Sequence, residues 1–261
     1  MRFNIKSFIT GFVLLFGSFT FAQNASVIRM EAPAALESGA FHTETLAKSG
    51  VMIFYESNEV NESSQRKWYF GLFDTQLKQV WLKFIPLRDG IQFMKSVRNG
   101  SMLHLLFRSV NPGKSGNEFY EIVNYNTRTE AFSNISGTIP DDAEVNGFEA
   151  IDDKACLGLN LKKNHTDVLF INLNNGEIEV QTVEAENDSY IEKVLVDHKN
   201  KHFYVAVKYI KDKNSLEDKI IQYSARGALE KTFLISNPEN IKSLRNFVLA
   251  PVTDQQLTFM G

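Results

Sequence analysis

One pattern recurs along this chain and narrows its fold more than any other feature. Trp68-Tyr69-Phe70-Gly71-Leu72-Phe73 is a dense apolar run, closed by polar Asp74-Thr75-Gln76 and followed by a second apolar run at Val80-Trp81-Leu82. The same sequence of events returns at Glu121–Tyr125 with Asn126-Thr127-Arg128, at Val168–Leu173 with Asn174-Asn175-Gly176, and at Ile220–Tyr223 with Ser224-Ala225-Arg226-Gly227. Phe73, Tyr125, Leu173 and Tyr223 follow one another at steps of 52, 48 and 50 residues. A period of that size marks arrays in which each unit buries its apolar face on its neighbours.

Each unit divides into four strands, A to D. Strand A is read at Phe41–Leu46, Ile91–Val97, Val145–Ile151 and Tyr190–Val196, each followed by a Gly-, Asn- or Asp-bearing turn of hairpin type. Strand B, at Val51–Tyr55, Met102–Phe107, Ala155–Leu159 and Phe203–Val207, is almost continuously apolar, which predicts burial on both faces. Strand D alternates, as in Glu177-Ile178-Glu179-Val180-Gln181, and predicts one solvated face. A small antiparallel sheet with a doubly buried interior must lie between other sheets.

In this respect the chain resembles the β-propeller fold, with the resemblance running over residues 41–261 at the level of the fold and without a named family. It implies four complete four-stranded blades, at about 41–88, 89–138, 139–186 and 187–238, and an incomplete fifth over 239–261. In the fifth, Leu244–Ala250 reads as strand A, Pro251–Asp254 as the turn and Gln256–Met260 as strand B. An uncovered apolar edge there points to a truncated piece of a larger propeller rather than to closure by the short N-terminal strand Ser26–Met30.

The first 22 residues carry a processing signal: cationic Arg2 and Lys6, an apolar stretch Phe8–Phe16, and Thr20-Phe21-Ala22 at the cleavage position. Residues 23–40 then form an N-terminal strand and linker. The expected location is therefore exported: periplasmic, cell-surface or secreted, with no membrane insertion after cleavage. Removing Arg2 and Lys6 takes the formal charge from -3 to -5, so nothing points to nucleic acid. Cys156 is the only cysteine and lies in the apolar Ala155–Leu159 run, which makes it a core residue and rules out an intramolecular disulfide.

Alternating strands place the B-to-C and D-to-A connections on one face. These read as the longer loops, at Ser57–Arg66, Asn111–Asn117, Lys211–Leu216, Gly137–Glu144, Glu184–Ser189 and Ser236–Asn240. Connections into strand A would rim a central channel, so Asp89, Asp141, Asp142, Glu144, Glu186 and Asp188 form a candidate acidic collar for calcium or for sugar hydroxyls. No catalytic constellation emerges: His42, His104, His165, His198 and His202 lack zinc spacing, and no nucleophile elbow or phosphate loop occurs. His104 reads as a packed core histidine, and Trp68 and Trp81 as core aromatics. The expected function is an exported binding or scaffold module for a protein or glycan partner, with no cofactor; the alternative is a secreted carbohydrate-active enzyme whose site extends outside this segment.

Overall fold

Four antiparallel sheets of four strands each follow one another along the chain. In the computed structural model the described residues are 39–109, 117–141, 143–183, 188–212, 215–235, 248–253 and 256–260. The first sheet comprises β1 (His42–Thr45), β2 (Val51–Val60), β3 (Gln65–Phe73) and β4 (Gln79–Arg88); the second, β5 (Ile91–Asn99), β6 (Met102–Ser109), β7 (Asn117–Asn126) and β8 (Ala131–Pro140). The third comprises β9 (Glu144–Ile151), β10 (Lys154–Leu161), β11 (His165–Asn172) and β12 (Ile178–Thr182), and the fourth β13 (Ser189–Asp197), β14 (His202–Asp212), β15 (Ser215–Ser224) and β16 (Leu229–Ile235). Every sheet is a simple meander in chain order. A hairpin of β17 (Val248–Thr253) and β18 (Gln256–Met260) follows, and β17 runs through positions where the turn was expected. The signal segment and the Ser26–Met30 strand lie outside the described residues.

The turn between third and fourth strands recurs with one device. Asp74, Asn126 and Asn172 each accept a backbone N–H two residues ahead through their side-chain oxygen, at 2.8, 2.9 and 2.9 Å, and Ser224 Oγ accepts from Ala228 N at 3.2 Å. These short polar side chains replace a ladder bond where the chain reverses. Phe73, Tyr125 and Tyr223 face Val51, Leu103 and Phe203 across the second strand. In the third sheet that place belongs to Ile171, opposite Ala155, so the sequence alignment on Leu173 was two residues late. A shift of two keeps the same face of a strand, which is why the apolar pattern concealed it.

The second strands are buried on both sides and tie the sheets together. From β6, Leu103, Leu105 and Phe107 pack with Phe54, Trp68 and Phe70 of the first sheet, while Leu106 points to the third. From β10, Ala155, Leu157 and Leu159 meet Tyr120 and Ile122 of the second sheet, and Cys156 faces the fourth. From β14, Phe203, Val205 and Val207 pack with Phe170, while Tyr204 and Ala206 turn to the opposite side with Ile220. At about 1.5–3 kcal/mol for each large side chain fully buried, this stacking outweighs any single turn or surface pair.

His104 is buried, with its Nδ1 2.7 Å from Oδ1 of Asn124 in the same sheet, and it is Asn124 that reaches beyond the sheet, its Nδ2 donating to the Leu173 carbonyl at 3.1 Å. Because the Asn124 oxygen accepts, His104 Nδ1 carries the proton, and its buried Nε2 is left without a partner. Trp68 lies in the core with Phe107 edge-on at 4.8 Å, and Trp81 packs against the same cluster.

The sheets touch most closely along their first strands, β5 against β9 and β9 against β13. A Cβ built on Gly147 of β9 would lie 2.3 Å from Val194 Cγ2 of β13, so only glycine permits this approach. Toward their later strands the third and fourth sheets border a groove of about 420 Å3 lined by Gln181, Thr182, Tyr209, Lys219 and Thr232.

Two expectations are corrected. Strand D was expected to have one wet face, yet in β12 both Ile178 and Val180 are exposed, at 38% and 53%. As the last strand of its sheet it borders the groove rather than a neighbouring sheet. The long loops are also largely strand: β2 and β3 extend through Ser57–Val60 and Gln65–Arg66, β8 reaches Pro140, and β14 and β15 leave only residues 213–214 between them. Polar side chains there mark the end of the core, not of the ladder. Lys67 Nζ donates to Glu59 Oε2 at 2.5 Å across the two strands, and Arg66 Nη1 donates to the Ser57 carbonyl at 3.1 Å.

Candidate functional site

Three first strands are bulged at one place. In β5 the register slips between Phe93 and Lys95, in β9 between Val145 and Gly147, and in β13 between Ile191 and Lys193, leaving Met94, Asn146 and Glu192 as the extra residues. The residues before the bulges face Phe107, Leu159 and Val207, which are 52 and 48 positions apart. Bulges redirect side chains and gather at functional edges. All three extra residues border one pocket of about 360 Å3, together with Lys95, Gly147 and Phe148. It lies in the first halves of these strands, near the end where the connections from the preceding sheets enter.

Asparagines hold this pocket in shape. Ile191 N donates to Asn160 Oδ1 at 2.7 Å, Asn160 Nδ2 donates back to the Ile191 carbonyl at 3.0 Å, and Asn146 Nδ2 donates to the same carbonyl at 3.0 Å. β13 is the edge strand of its sheet, so these amides stand in for a missing strand partner immediately before the Glu192 bulge. Asn146 Nδ2 also donates to the Tyr190 hydroxyl at 2.6 Å, fixing an exposed ring beside the pocket.

The charges are paired. Lys208 Nζ donates to Glu192 Oε1, with both side chains mostly buried, and Lys95 meets Glu149 at 3.3 Å on the more open side. Glu192 Oε2 is buried without a hydrogen-bond partner. An orphaned buried acceptor costs about 1–3 kcal/mol and singles out this carboxylate.

Of the residues marked in the sequence, the four that are described, Asp89, Asp141, Glu144 and Asp188, are not among those lining the pocket. Asp89 Oδ1 accepts from Arg66 Nε at 2.7 Å, and Arg66 also meets Glu56 at 3.0 Å. Burial pushes the Glu56 carboxyl up, Arg66 pulls it down, and Asp89 adds to the rise. Asp141 has one buried oxygen with no partner; Glu144 opens β9 exposed to solvent; Asp188 is exposed and its carbonyl accepts from Ile210 N at 2.8 Å. Asp142 and Glu186 lie outside the described residues. Among the described residues no three acidic, histidine or cysteine side chains are grouped to hold a metal ion.

No family model matches this chain, and no curated protein does. Solved structures with partial likeness include a mutant apocarotenoid oxygenase from Synechocystis, at 10% identity and a TM-score of 0.40, covering 69% of this chain and 46% of that one. Another is an ulvan lyase, a polysaccharide lyase bound to a GlcA(1-4)Rha3S unit, at 11% identity and a TM-score of 0.35, covering 74% and 55%. The chain thus spans about half the length of each. Among the described residues no helix is long and apolar enough to cross a membrane.

A signal for the pocket was present in the sequence. Val145-Asn146-Gly147-Phe148 and Ile191-Glu192-Lys193-Val194 both place two residues between apolar ones within a strand, which breaks strict alternation and marks a bulge.

Proposed function

We propose that this chain is an exported binding module, built as a β-propeller with its first strands innermost, whose pocket at the entry end of those strands holds a glycan. One observation carries the reading: Met94, Asn146 and Glu192, each the extra residue of a bulge, converge on a single cavity of about 360 Å3. The radial arrangement is supported by the unequal spacing of the sheets. Gly147 lies hard against Val194 at the first strands, whereas a groove of about 420 Å3 opens between the outer ones. Sheets that touch along one edge and part along the other fan about an axis.

The pocket, at about 360 Å3, is at the small end of the range for small-molecule sites. Its lining mixes amide, ammonium and carboxylate groups, which suit hydroxyls, with exposed Met94 and Tyr190 at hand for the apolar face of a sugar ring. Hydrolysis of a glycosidic bond calls for two carboxyl groups across the scissile bond, and Glu192 is the one carboxylate among the described lining residues. Binding without turnover is therefore the preferred reading. Export rests on the cationic, apolar and small-residue order of the first 22 residues.

The test is direct. The protein recovered from outside the cytoplasm should begin at Gln23, and on a glycan array it should bind saturably without releasing products. Retention of the first residues would remove the export reading. Capture of a protein partner with no glycan signal would replace the glycan reading with a scaffold.

A further inference from the structure

Among the described outer strands, one is left unguarded at its edge. β4 carries Lys83 and Pro86, β16 carries Lys231, and β8 ends on Pro140 and exposes no large apolar side chain. Lysine and proline at such an edge keep foreign strands from pairing with it. β12, Ile178-Glu179-Val180-Gln181-Thr182, has neither, and it exposes Ile178 and Val180 at 38% and 53%. It stands at the end of its sheet, beyond β11, so one side of its backbone has no described strand beside it.

Two hydrogen bonds show which peptide groups lie on that free side. Asn172 N donates to the Glu177 carbonyl at 2.8 Å and Val183 N to the Thr166 carbonyl at 3.0 Å, so Glu177 and Val183 turn their peptide groups inward, toward β11. Alternation along an antiparallel ladder turns Glu179 and Gln181 the same way and leaves the N–H and C=O of Ile178, Val180 and Thr182 pointing outward. Three β-branched residues thus hold the free edge, with Val180 at their centre. The order β-branched, polar, β-branched, polar, β-branched is the same in either direction.

We propose that β12 pairs antiparallel with β12 of a second copy of this chain, about a two-fold axis at Val180. In that register Val180 meets its own counterpart through both N–H and C=O, Ile178 is opposite Thr182, and Glu179 is opposite Gln181. No two carboxylates face each other. Centring the pair on Ile178 would set Glu177 against Glu179, and centring it on Glu179 would set that residue against itself; like charges so placed are destabilising. Centring it on Gln181 would leave Ile178 with no residue of β12 opposite. In the Val180 register the exposed Ile178 and Val180 of both copies gather on one face of the joined sheet. The contact lies on a last strand, apart from the pocket on the first strands.

Sedimentation equilibrium of the whole chain decides it. A pair of five-residue strands belongs with interfaces under about 1,200 Å2, which associate weakly, so the mean mass should rise from monomer toward dimer between about 10 μM and 1 mM. Val180→Lys, at an exposed position, should weaken association at least about tenfold. Gln181→Glu opposes carboxylates in both halves of the contact and should weaken it about fivefold. Leu234→Lys, at an exposed position of β16, should leave it unchanged. A chain that stays monomeric up to about 1 mM overturns the proposal. So does a dimer that survives Val180→Lys, or one that Leu234→Lys disrupts equally.

Discussion

Asn160 grips the peptide groups of Ile191 from the neighbouring sheet, accepting from its N–H at 2.7 Å and donating to its carbonyl at 3.0 Å. The side chain is buried, and it reaches an edge strand that has no ladder partner on that side. Asn160→Ala would leave the Ile191 N–H without a partner and its carbonyl with Asn146 alone. The expected loss is about 1–3 kcal/mol, the cost of one buried donor left unsatisfied. Urea unfolding measures it, and a change below about 0.5 kcal/mol would show that the clamp is not holding the strand.

Gly147→Ala probes the closest approach of two sheets. Its new methyl would fall 2.3 Å from Val194 Cγ2 and 2.8 Å from Val194 N, and the second of these atoms is backbone. Overpacking of this kind costs about 1–3 kcal/mol. The double variant Gly147→Ala, Val194→Ala should recover part of that loss in a thermal melt, because the nearest obstacle is the valine side chain.

His104 should make stability depend on pH. Burial holds its imidazole below the ordinary value of 6.5, partly offset by the hydrogen bond to Asn124. The unfolded chain therefore takes up the proton more readily than the folded one. The contribution is complete above pH 6.5 and is lost as pH falls below it toward the folded value. His104→Gln should flatten the fall in unfolding free energy between pH 7.5 and 5; His42, which burial also lowers, remains in both proteins and cancels in the comparison. Parallel pH profiles for the two proteins would contradict the assignment.

Cys156 should be silent in the folded chain. It is fully buried, and burial raises its thiol well above the ordinary range, with Glu149 adding to the rise. Thiolate is the reactive form. Ellman's reagent should therefore label the protein only in denaturant, and prompt labelling under native conditions would place this strand elsewhere than in the core.

The division into four-stranded antiparallel sheets was readable from the sequence because it depends on local quantities: apolar runs in β2, β6, β10 and β14, and side-chain-capped turns at Asp74, Asn126, Asn172 and Ser224. Burial of His104, Trp68 and Cys156 was readable for the same reason. The candidate pocket was not. Charge and nearness to one end of the strands point to Asp89, Asp141, Glu144 and Asp188, but an exposed carboxylate is as well satisfied by water, or, at Asp89, by Arg66, as by a ligand. What makes a pocket of Met94, Asn146 and Glu192 is the convergence of three bulges from strands nearly fifty residues apart in the chain, and the closeness that Gly147 allows between β9 and β13. Patterns along a chain carry which face of a strand is apolar; only the packing of sheet on sheet decides which of its irregularities meet.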